Sequence, residues 1–198
     1  MSKKRLMTNI LLKTSHSFLT TQPLADVTVL EQCVLDIKDH LLEKPPIIMY
    51  GKVCHQQRDI GFFSDKSKGY HYAGQLAPSR PMTDHLNMLM DTVNELYGAE
   101  FNGILVNRYT GGKDYISAHS DDETKLDKIG VVAVSFGSVR TFRIRDKKSK
   151  KIIVDVAMLP GQLLHMGGSF QQEFTHEIPV EKRVNEVRYS FTFRRHLE

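Results

Sequence analysis

The triplet His119-Ser120-Asp121 carries an imidazole and a carboxylate two positions apart. In an extended strand, residues i and i+2 point to the same face, so both side chains would aim at one point. A third ligand from elsewhere would complete a set of two histidines and one carboxylate, which leaves positions open on a non-haem Fe(II) ion. Because similar triplets are common on protein surfaces, the rest of the chain must supply that ligand and a site for a second reactant.

His176 is the best candidate for the third ligand by its position in the chain. It precedes the strand predicted at residues 188–194, whereas most other histidines come before the triplet on predicted helices or loops. His165 lies in an apolar stretch, where a hydrogen-bonded core histidine is the expected state. His196 is near the end of the sequence.

Polar and aromatic side chains alternate along residues 188–194. The polar positions are Arg188, Ser190, Thr192 and Arg194, and the aromatic ones are Tyr189, Phe191 and Phe193. The aromatic face must pack into apolar surroundings. Two arginines on the other face could grip the carboxylates of a small dicarboxylate inside a barrel. The alternative is an edge strand whose polar face is solvated.

Asn107 and Tyr109 share a face of the strand predicted at residues 101–109. Their amide and phenol groups could hydrogen-bond an anionic ligand. A polar strand end that leads into the turn at residues 110–112 is an equally good explanation of this pair.

Two helices are predicted before most of the strands. The first spans residues 26–42, with a capping box of Thr28 and Glu31. The second runs from Pro81 to Tyr97, with Pro81 in its first turn and Gly98 just past its end. Its predicted apolar stripe comprises Met82, Leu86, Leu89, Met90, Val93 and Leu96.

Short strands dominate the rest of the sequence. A strand at residues 47–50 leads into a hairpin and loop region over residues 51–69 and an aromatic strand end at 70–74. Further strands are predicted at residues 101–109, 131–136, 139–145, 152–158, 162–166 and 187–194. Helices followed by many short strands predict an α+β protein with a double-stranded β-helix (jelly-roll) core. The basic run at residues 147–151 is expected at a hairpin tip.

Composition favours one domain that works inside the cell. The chain has 198 residues, a net charge of +4 and a pI near 9.0, which suits a polyanionic partner. Two cysteines without metal-site spacing indicate a reducing compartment. No apolar run approaches the ~20 residues of a membrane span. Residues 1–25 lack acidic side chains and are expected to form a mobile basic arm, a transit peptide or a nuclear signal being the alternatives.

These site residues occur in the order typical of one known family. The series Asn107-x-Tyr109, His119-x-Asp121, His176, Arg188 and Arg194 resembles the AlkB family of Fe(II)/2-oxoglutarate-dependent nucleic-acid dealkylases. Five stretches also resemble its animal nuclear members: Tyr50-Gly51-Lys52-Val53, Asn107-Arg108-Tyr109, His119-Ser120-Asp121-Asp122-Glu123, Val134-Ser135-Phe136-Gly137 and Phe191-Thr192-Phe193-Arg194. The resemblance covers roughly residues 46–196. It implies an N-terminal arm and helix over residues 1–45 and a dioxygenase domain over 46–198, with nucleotide-recognition hairpins at about 46–80.

The resemblance implies a ligand set for Fe(II) and for the co-substrate 2-oxoglutarate. His119, Asp121 and His176 would ligate the iron, and O₂ would be the second co-substrate. Arg188 and Tyr109 would hold the distal carboxylate of 2-oxoglutarate.

Three further residues are implied at the co-substrate. Asn107 and Arg194 would bind nearer its iron-chelating end or support Asp121. Ser190 stands where the family usually has asparagine, so we expect an altered affinity for 2-oxoglutarate.

The resemblance also implies contacts to a flipped base and to the nucleic-acid strand. Tyr72 would stack on the base, and Glu123, with Asp122 beside it, would accept a hydrogen bond from its exocyclic amino group. The hairpin residues Val53, Cys54 and His55 replace a bulkier wedge, which favours single strands. Arg58 is expected to contact phosphates.

The implied activity is oxidative demethylation in DNA repair. 1-Methyladenine and 3-methylcytosine in DNA, and in RNA as a further substrate, would be restored with release of formaldehyde, succinate and CO₂. The protein would be a monomer, and nucleus and cytosol are both open as its compartment. The alternatives are a dioxygenase of the same fold that acts on RNA methyl marks or protein, and a catalytically silent nucleic-acid-binding module.

Overall fold

The computed structural model describes residues 7–49, 51–72, 75–121 and 126–197. Its strands are β1 (Asn9–Lys13), β2 (Ser17–Pro23), β3 (Pro46–Met49), β4 (Lys52–His55), β5 (Asp59–Phe63), β6 (Gly69–Tyr72), β7 (Gln75–Arg80), β8 (Gly103–Tyr109), β9 (Ile116–His119), β10 (Val131–Gly137), β11 (Arg140–Asp146), β12 (Ile152–Met158), β13 (Gln162–Gly168), β14 (Phe174–Ile178) and β15 (Arg188–Arg194). The helices are α1 (Thr28–Ile37), α2 (Asp84–Tyr97) and the single turn α3 (Phe170–Glu173).

Within the described residues, two sheets form the body of the protein. The larger has nine strands in the order β1-β2-β13-β10-β15-β8-β5-β7-β6, and the smaller has the order β12-β11-β14-β9. Strands β3 and β4 form a separate antiparallel hairpin. A mostly antiparallel pair of sheets, with two helices packed against the larger one, confirms the predicted jelly-roll α+β fold.

Alternation along the strands divides the interior into two layers. Val132 and Val134 of β10 pack with buried residues of α1 and α2, such as Leu30 and Leu86. Val131, on the opposite face of β10, packs with residues of the smaller sheet. Because successive strand residues face opposite sides, one sheet can hold the helices on one face and the second sheet on the other.

The strand register brings the predicted site residues together. His119 of β9 lies opposite His176 of β14. In the larger sheet, Arg188 is paired with Tyr109, and Ser190 with Asn107. Strand β15 lies between β10 and β8, and all seven of its residues are buried, so the edge-strand alternative is wrong.

The predicted start and end of the first helix are wrong. α1 ends at Ile37, because Leu42 instead exchanges two backbone hydrogen bonds with Ile60 of β5. The capping box is also absent: Val27 is the N-cap and makes no side-chain bond, while Asp26 Oδ1 accepts from Thr28. Tertiary pairing therefore overrides helix propensity beyond residue 37.

The second predicted helix is confirmed as α2, but it begins at Asp84 and not at Pro81. Thr83 is its N-cap and accepts from Leu86 N, so Pro81 lies outside the helix. Gly98 adopts φ +58° at the C-cap, as its position predicted. Leu96 is 41% exposed and does not belong to the buried stripe.

The N-terminal segment is not a mobile arm over residues 9–23. β1 pairs with β2, and β2 pairs with β13 along its whole length. Leu19 is the only large aliphatic residue of β2 that is fully buried, which explains why the sequence pattern did not indicate a strand. The division of the chain at residues 45 and 46 stays a prediction, although β1 and β2 lie in the same sheet as the predicted catalytic strands. None of the described helices combines the length and hydropathy that crossing a membrane requires.

Candidate metal centre and co-substrate pocket

A polar pocket opens between the two sheets. About 480 Å³ of its space is not filled by protein atoms. Strands β8 and β15 line one side with Asn107, Tyr109, Arg188, Ser190 and Arg194. His119, Asp121 and His176 line the other side. The predicted metal and co-substrate residues therefore share one cavity.

The three predicted metal ligands form one compact group. One ligand atom each from His119, Asp121 and His176 lies within 4.8 Å of the others. The two imidazole rings are 4.3 Å apart between centroids. His176 and Asp121 are buried, and His119 is partly exposed.

The protonation of His119 suits a metal ligand. Its Nδ1 lies 2.8 Å from the carbonyl oxygen of Ser117, which can only accept a hydrogen bond. Nδ1 therefore carries the proton, so Nε2 is the ring nitrogen whose lone pair can bind a metal ion. Desolvation in the pocket lowers the pKa of His119 to about 3. The ring is thus neutral near pH 7.

His176 and Asp121 complete a donor set of two imidazoles and one carboxylate. Burial lowers the pKa of His176. Burial alone would raise the pKa of Asp121, but the positive charge of nearby Arg194 outweighs it and lowers that pKa. Arg194 Nη2 lies 3.6 Å from Asp121 Oδ1. Two neutral imidazoles and an ionised carboxylate fit Fe(II).

Arg188 provides a buried cation for an anionic ligand. The residue is 1% exposed, and its Nε donates to Ser135 Oγ over 3.0 Å. Its Nη1 is buried without a hydrogen-bond partner among the described residues. A buried donor on a charged group costs free energy until it is satisfied, so an anion in this pocket would be stabilised. The pocket thus fits a dicarboxylate such as 2-oxoglutarate.

Two pocket residues were not recognised in the sequence. Arg58 is 3% exposed, and its Nε donates to Asn107 Oδ1 over 2.7 Å. This burial does not favour the expected phosphate contact of Arg58, which stays a prediction. Strand β5, which begins at the residue after Arg58, was not predicted, because all five of its residues are buried and show no alternation. Tyr70 is the second, since the Arg194 guanidinium carbon lies 4.5 Å from the centre of its ring.

The remaining predicted substrate contacts stay predictions. Val53, Cys54 and His55 are exposed on β4 of the hairpin, and Val53 is 70% exposed. The side chain of Tyr72 lies outside the described part of the structure, as do Asp122 and Glu123. His165 is buried, with Nε2 2.8 Å from Ile129 O, as expected of a core histidine.

The fold and the pocket together define a class of protein. The profile described as 2OG-Fe(II) oxygenase superfamily matches residues 16–194, and the chain belongs to that superfamily. The cofactors of this family, Fe(II), 2-oxoglutarate and O₂, are those that the sequence predicted.

Two relatives show which members of the superfamily this chain resembles. The DNA oxidative demethylase ALKBH2 of Mus musculus is 34% identical over 155 residues, which cover 74% of this chain and 65% of the mouse protein. The alpha-ketoglutarate-dependent dioxygenase alkB homolog 3 of Homo sapiens is 36% identical over 118 residues, 55% of this chain and 41% of that protein. The AlkB resemblance is therefore confirmed, although the chain spans less than two thirds of these relatives.

A solved structure supports the fold independently. The structure of OsALKBH1 superposes with a TM-score of 0.59 and 16% identity, covering 95% of this chain and all of that one.

Proposed function

We propose that the protein is an Fe(II)/2-oxoglutarate-dependent oxidative demethylase of N-alkylated bases in DNA. The observation that carries this proposal is the joining of a two-histidine, one-carboxylate group to a pocket with buried arginines. The name of the mouse relative, DNA oxidative demethylase ALKBH2, supports the substrate class. 1-Methyladenine and 3-methylcytosine are the proposed lesions, which makes the protein a DNA-repair enzyme.

Each side of the pocket has a separate task in this proposal. His119, Asp121 and His176 hold Fe(II), and Arg188 with Tyr109 holds the distal carboxylate of 2-oxoglutarate. Bound Fe(II) would couple the oxidation of 2-oxoglutarate by O₂ to the hydroxylation of an N-methyl group, with O₂ as the oxidant of both. The hydroxymethylated base then releases formaldehyde, and the co-substrate ends as succinate and CO₂.

Positive charge inside the pocket selects and orients the co-substrate. Arg188 satisfies its unpaired Nη1 on the carboxylate. Arg194 lies beside Asp121, keeps that ligand ionised and limits its movement. Ser190 and Asn107 face each other across β15 and β8 and contribute short polar contacts near the chelating end of the ligand.

The nucleic-acid strand is proposed to enter beside the hairpin β3–β4. Val53, Cys54 and His55 would contact it, Tyr72 would stack on the flipped base, and Glu123 with Asp122 would read its edge. Because the hairpin carries no large wedge, single strands are the preferred form, with RNA accepted as well. We propose that the protein acts as a monomer inside the cell, in the nucleus or the cytosol.

The formation of repaired bases within a methylated strand tests this function. The protein would be incubated with Fe(II), 2-oxoglutarate and ascorbate, together with single- and double-stranded DNA and RNA that carry one 1-methyladenine or 3-methylcytosine. Repaired strands would be measured by mass spectrometry, with His119→Ala as the inactive control.

Repair that depends on 2-oxoglutarate and is lost in His119→Ala is the expected result. Consumption of 2-oxoglutarate without repair of any strand would overturn the substrate and leave a dioxygenase with another acceptor. Absence of metal binding would favour a silent nucleic-acid-binding module.

A further inference from the structure

Arg140, the first residue of β11, is a buried cation outside the pocket lining. It is 1% exposed, and its Nε donates to Glu181 over 2.7 Å. Nη1 donates to Gly111 O over 3.1 Å. Nη2 donates to Asp114 O over 2.9 Å and to Pro179 O over 2.6 Å. One guanidinium therefore ties the turn after β8 to the segment after β14.

Backbone contacts join the same two segments into one unit. Gly112 N donates to Val184 O over 2.7 Å, and Glu181 N donates to Gly112 O over 2.8 Å. A Cβ at Gly112 would collide with the carbonyl oxygen of Glu181, so the two segments are packed as closely as glycine permits. This unit adjoins the end of β8, where Tyr109 enters the pocket.

Arg140 also contacts the Tyr109 ring. Its guanidinium carbon lies 5.7 Å from the ring centroid, and that of Arg188 lies 5.3 Å away. Tyr109 is 3% exposed and lines the pocket, as Arg188 does. A planar cation within about 6 Å of an aromatic ring attracts it, so Arg140, which is not part of the pocket lining, restrains the Tyr109 ring.

We propose that Arg140 is a positioning residue that sets the affinity for the distal carboxylate of the co-substrate through Tyr109. The inference rests on the proposed function, because it takes Tyr109 and Arg188 to bind that carboxylate. Lysine at position 140 would keep the charge, but it cannot hold four oxygens in a fixed plane. The Tyr109 side chain and the turn after β8 would then be less firmly positioned.

Binding of two ligands to the Mn(II)-loaded protein without O₂ separates this role from a general structural one. 2-Oxoglutarate reaches the distal site, whereas oxalate only chelates the metal. In Arg140→Lys we expect calorimetry to show about a tenfold weaker binding of 2-oxoglutarate and unchanged binding of oxalate. Arg143→Lys is the matched control, since Arg143 lies on the same strand and pairs with Asp155 instead.

A second variant tests the same role in case Arg140→Lys does not fold. Glu181→Asp keeps the charge but withdraws the carboxylate from Arg140 Nε, and we expect a smaller loss confined to 2-oxoglutarate. Equal losses for both ligands, or none, in the folded variants would overturn the inference alone. Failure of the wild-type protein to bind 2-oxoglutarate would instead remove the proposed function, and the inference with it.

Discussion

At the scale of single residues, the pocket depends on contacts that fix which atom of each ligand faces the metal position. His119 is oriented by the carbonyl of Ser117. Asp121 is oriented through its backbone, because Asp121 N donates to Gln171 Oε1 over 2.9 Å. Gln171 is 5% exposed on α3 and touches neither metal nor substrate in the proposed mechanism. Such supporting contacts set metal affinity as strongly as some ligands do.

Replacing Gln171 therefore tests how the metal centre is held. In Gln171→Ala the amide N–H of Asp121 loses its buried acceptor, and the carboxylate is free to turn. We expect Mn(II) affinity, followed by electron paramagnetic resonance titration, to fall about 10- to 100-fold. Gln172→Ala is the matched control, because Gln172 is exposed on the same turn. Equal Mn(II) affinity in the two variants would contradict the role of Gln171.

Arg58 offers a test of where its charge acts. Because Arg58 is buried against Asn107, Arg58→Met should lower turnover of 2-oxoglutarate about tenfold. The salt dependence of DNA binding should stay as in the wild type. Lys52→Met, at an exposed position of β4, should instead reduce the logarithmic salt slope by about one unit. A reduced salt slope of DNA binding with normal turnover of 2-oxoglutarate in Arg58→Met would show instead that Arg58 contacts phosphates.

The residue pattern predicted the ligand set but not its surroundings. His119 and Asp121 followed from their spacing, and His176 from its place before the arginine strand. Arg58 and Arg140 could not be recognised, because a lone arginine beside an apolar strand is usually solvent-exposed. Their burial follows from partners far away in the chain, such as Glu181 for Arg140.

At the scale of elements, two strand pairs build the pocket. β9 and β14 place His119 opposite His176, while β8 and β15 place Tyr109 opposite Arg188. Alternation in β15 predicted which of its side chains share a face, since that period is fixed by the strand backbone. Strand pairing was not predictable, because it depends on contacts between distant segments that alternation does not encode.

The hairpin β3–β4 provides a test of strand preference. Ile48 and Val53 are opposite each other, and both are largely exposed. A larger ring at position 53 could stack against bases, a contact of ~1–3 kcal/mol. We therefore expect Val53→Phe to raise the ratio of duplex to single-strand repair about fivefold or more. Val139→Phe, in the turn between β10 and β11, should leave the ratio unchanged; an equal rise there would contradict the role of the hairpin.

At the scale of the whole molecule, the ion pair of Lys44 and Asp114 connects the segment after α1 to the turn after β8. Asp114 is 4% exposed and accepts from Thr110 N, Thr110 Oγ1 and Lys44 Nζ, each over 2.7 Å. Burial alone would raise the pKa of Asp114, but the hydrogen bonds from Lys44 and Thr110 lower it below 3.8. A lowered pKa contributes stability above pH 3.8 that is lost as the pH falls through the folded value.

Asp114→Asn should remove this pH-dependent stability. Near pH 7 we expect a loss of about 2 kcal/mol in the free energy of unfolding, because a charged acceptor of three hydrogen bonds becomes a neutral one. The difference should shrink as the pH falls below 3.8, where the wild-type carboxylate also becomes protonated. Urea unfolding at several pH values measures this difference in the free energy of unfolding between the variant and the wild type. Asp91→Asn, exposed on α2, is the control, and a difference independent of pH would contradict the account.

Overall architecture was predictable where local patterns are strong. Six of the eight described strands after Gly98 and the second helix followed from alternation and helical spacing, whereas β9 and β14 were not predicted. Strands β1 and β2 were not predicted, because β2 is held by its pairing with β13 and does not bury a continuous apolar face. The end of α1 was missed for the same reason, since Leu42 pairs with Ile60.

The stoichiometry of products on single-stranded DNA with one 3-methylcytosine is the decisive test of the proposed demethylase. Succinate, formaldehyde and repaired cytosine would be quantified in the same reaction, with Asp121→Asn as the control. We expect equal amounts of all three products from the wild-type protein and none from Asp121→Asn. Succinate without repaired cytosine would show that the pocket consumes 2-oxoglutarate but does not act on the methylated base, which would contradict the proposed demethylase.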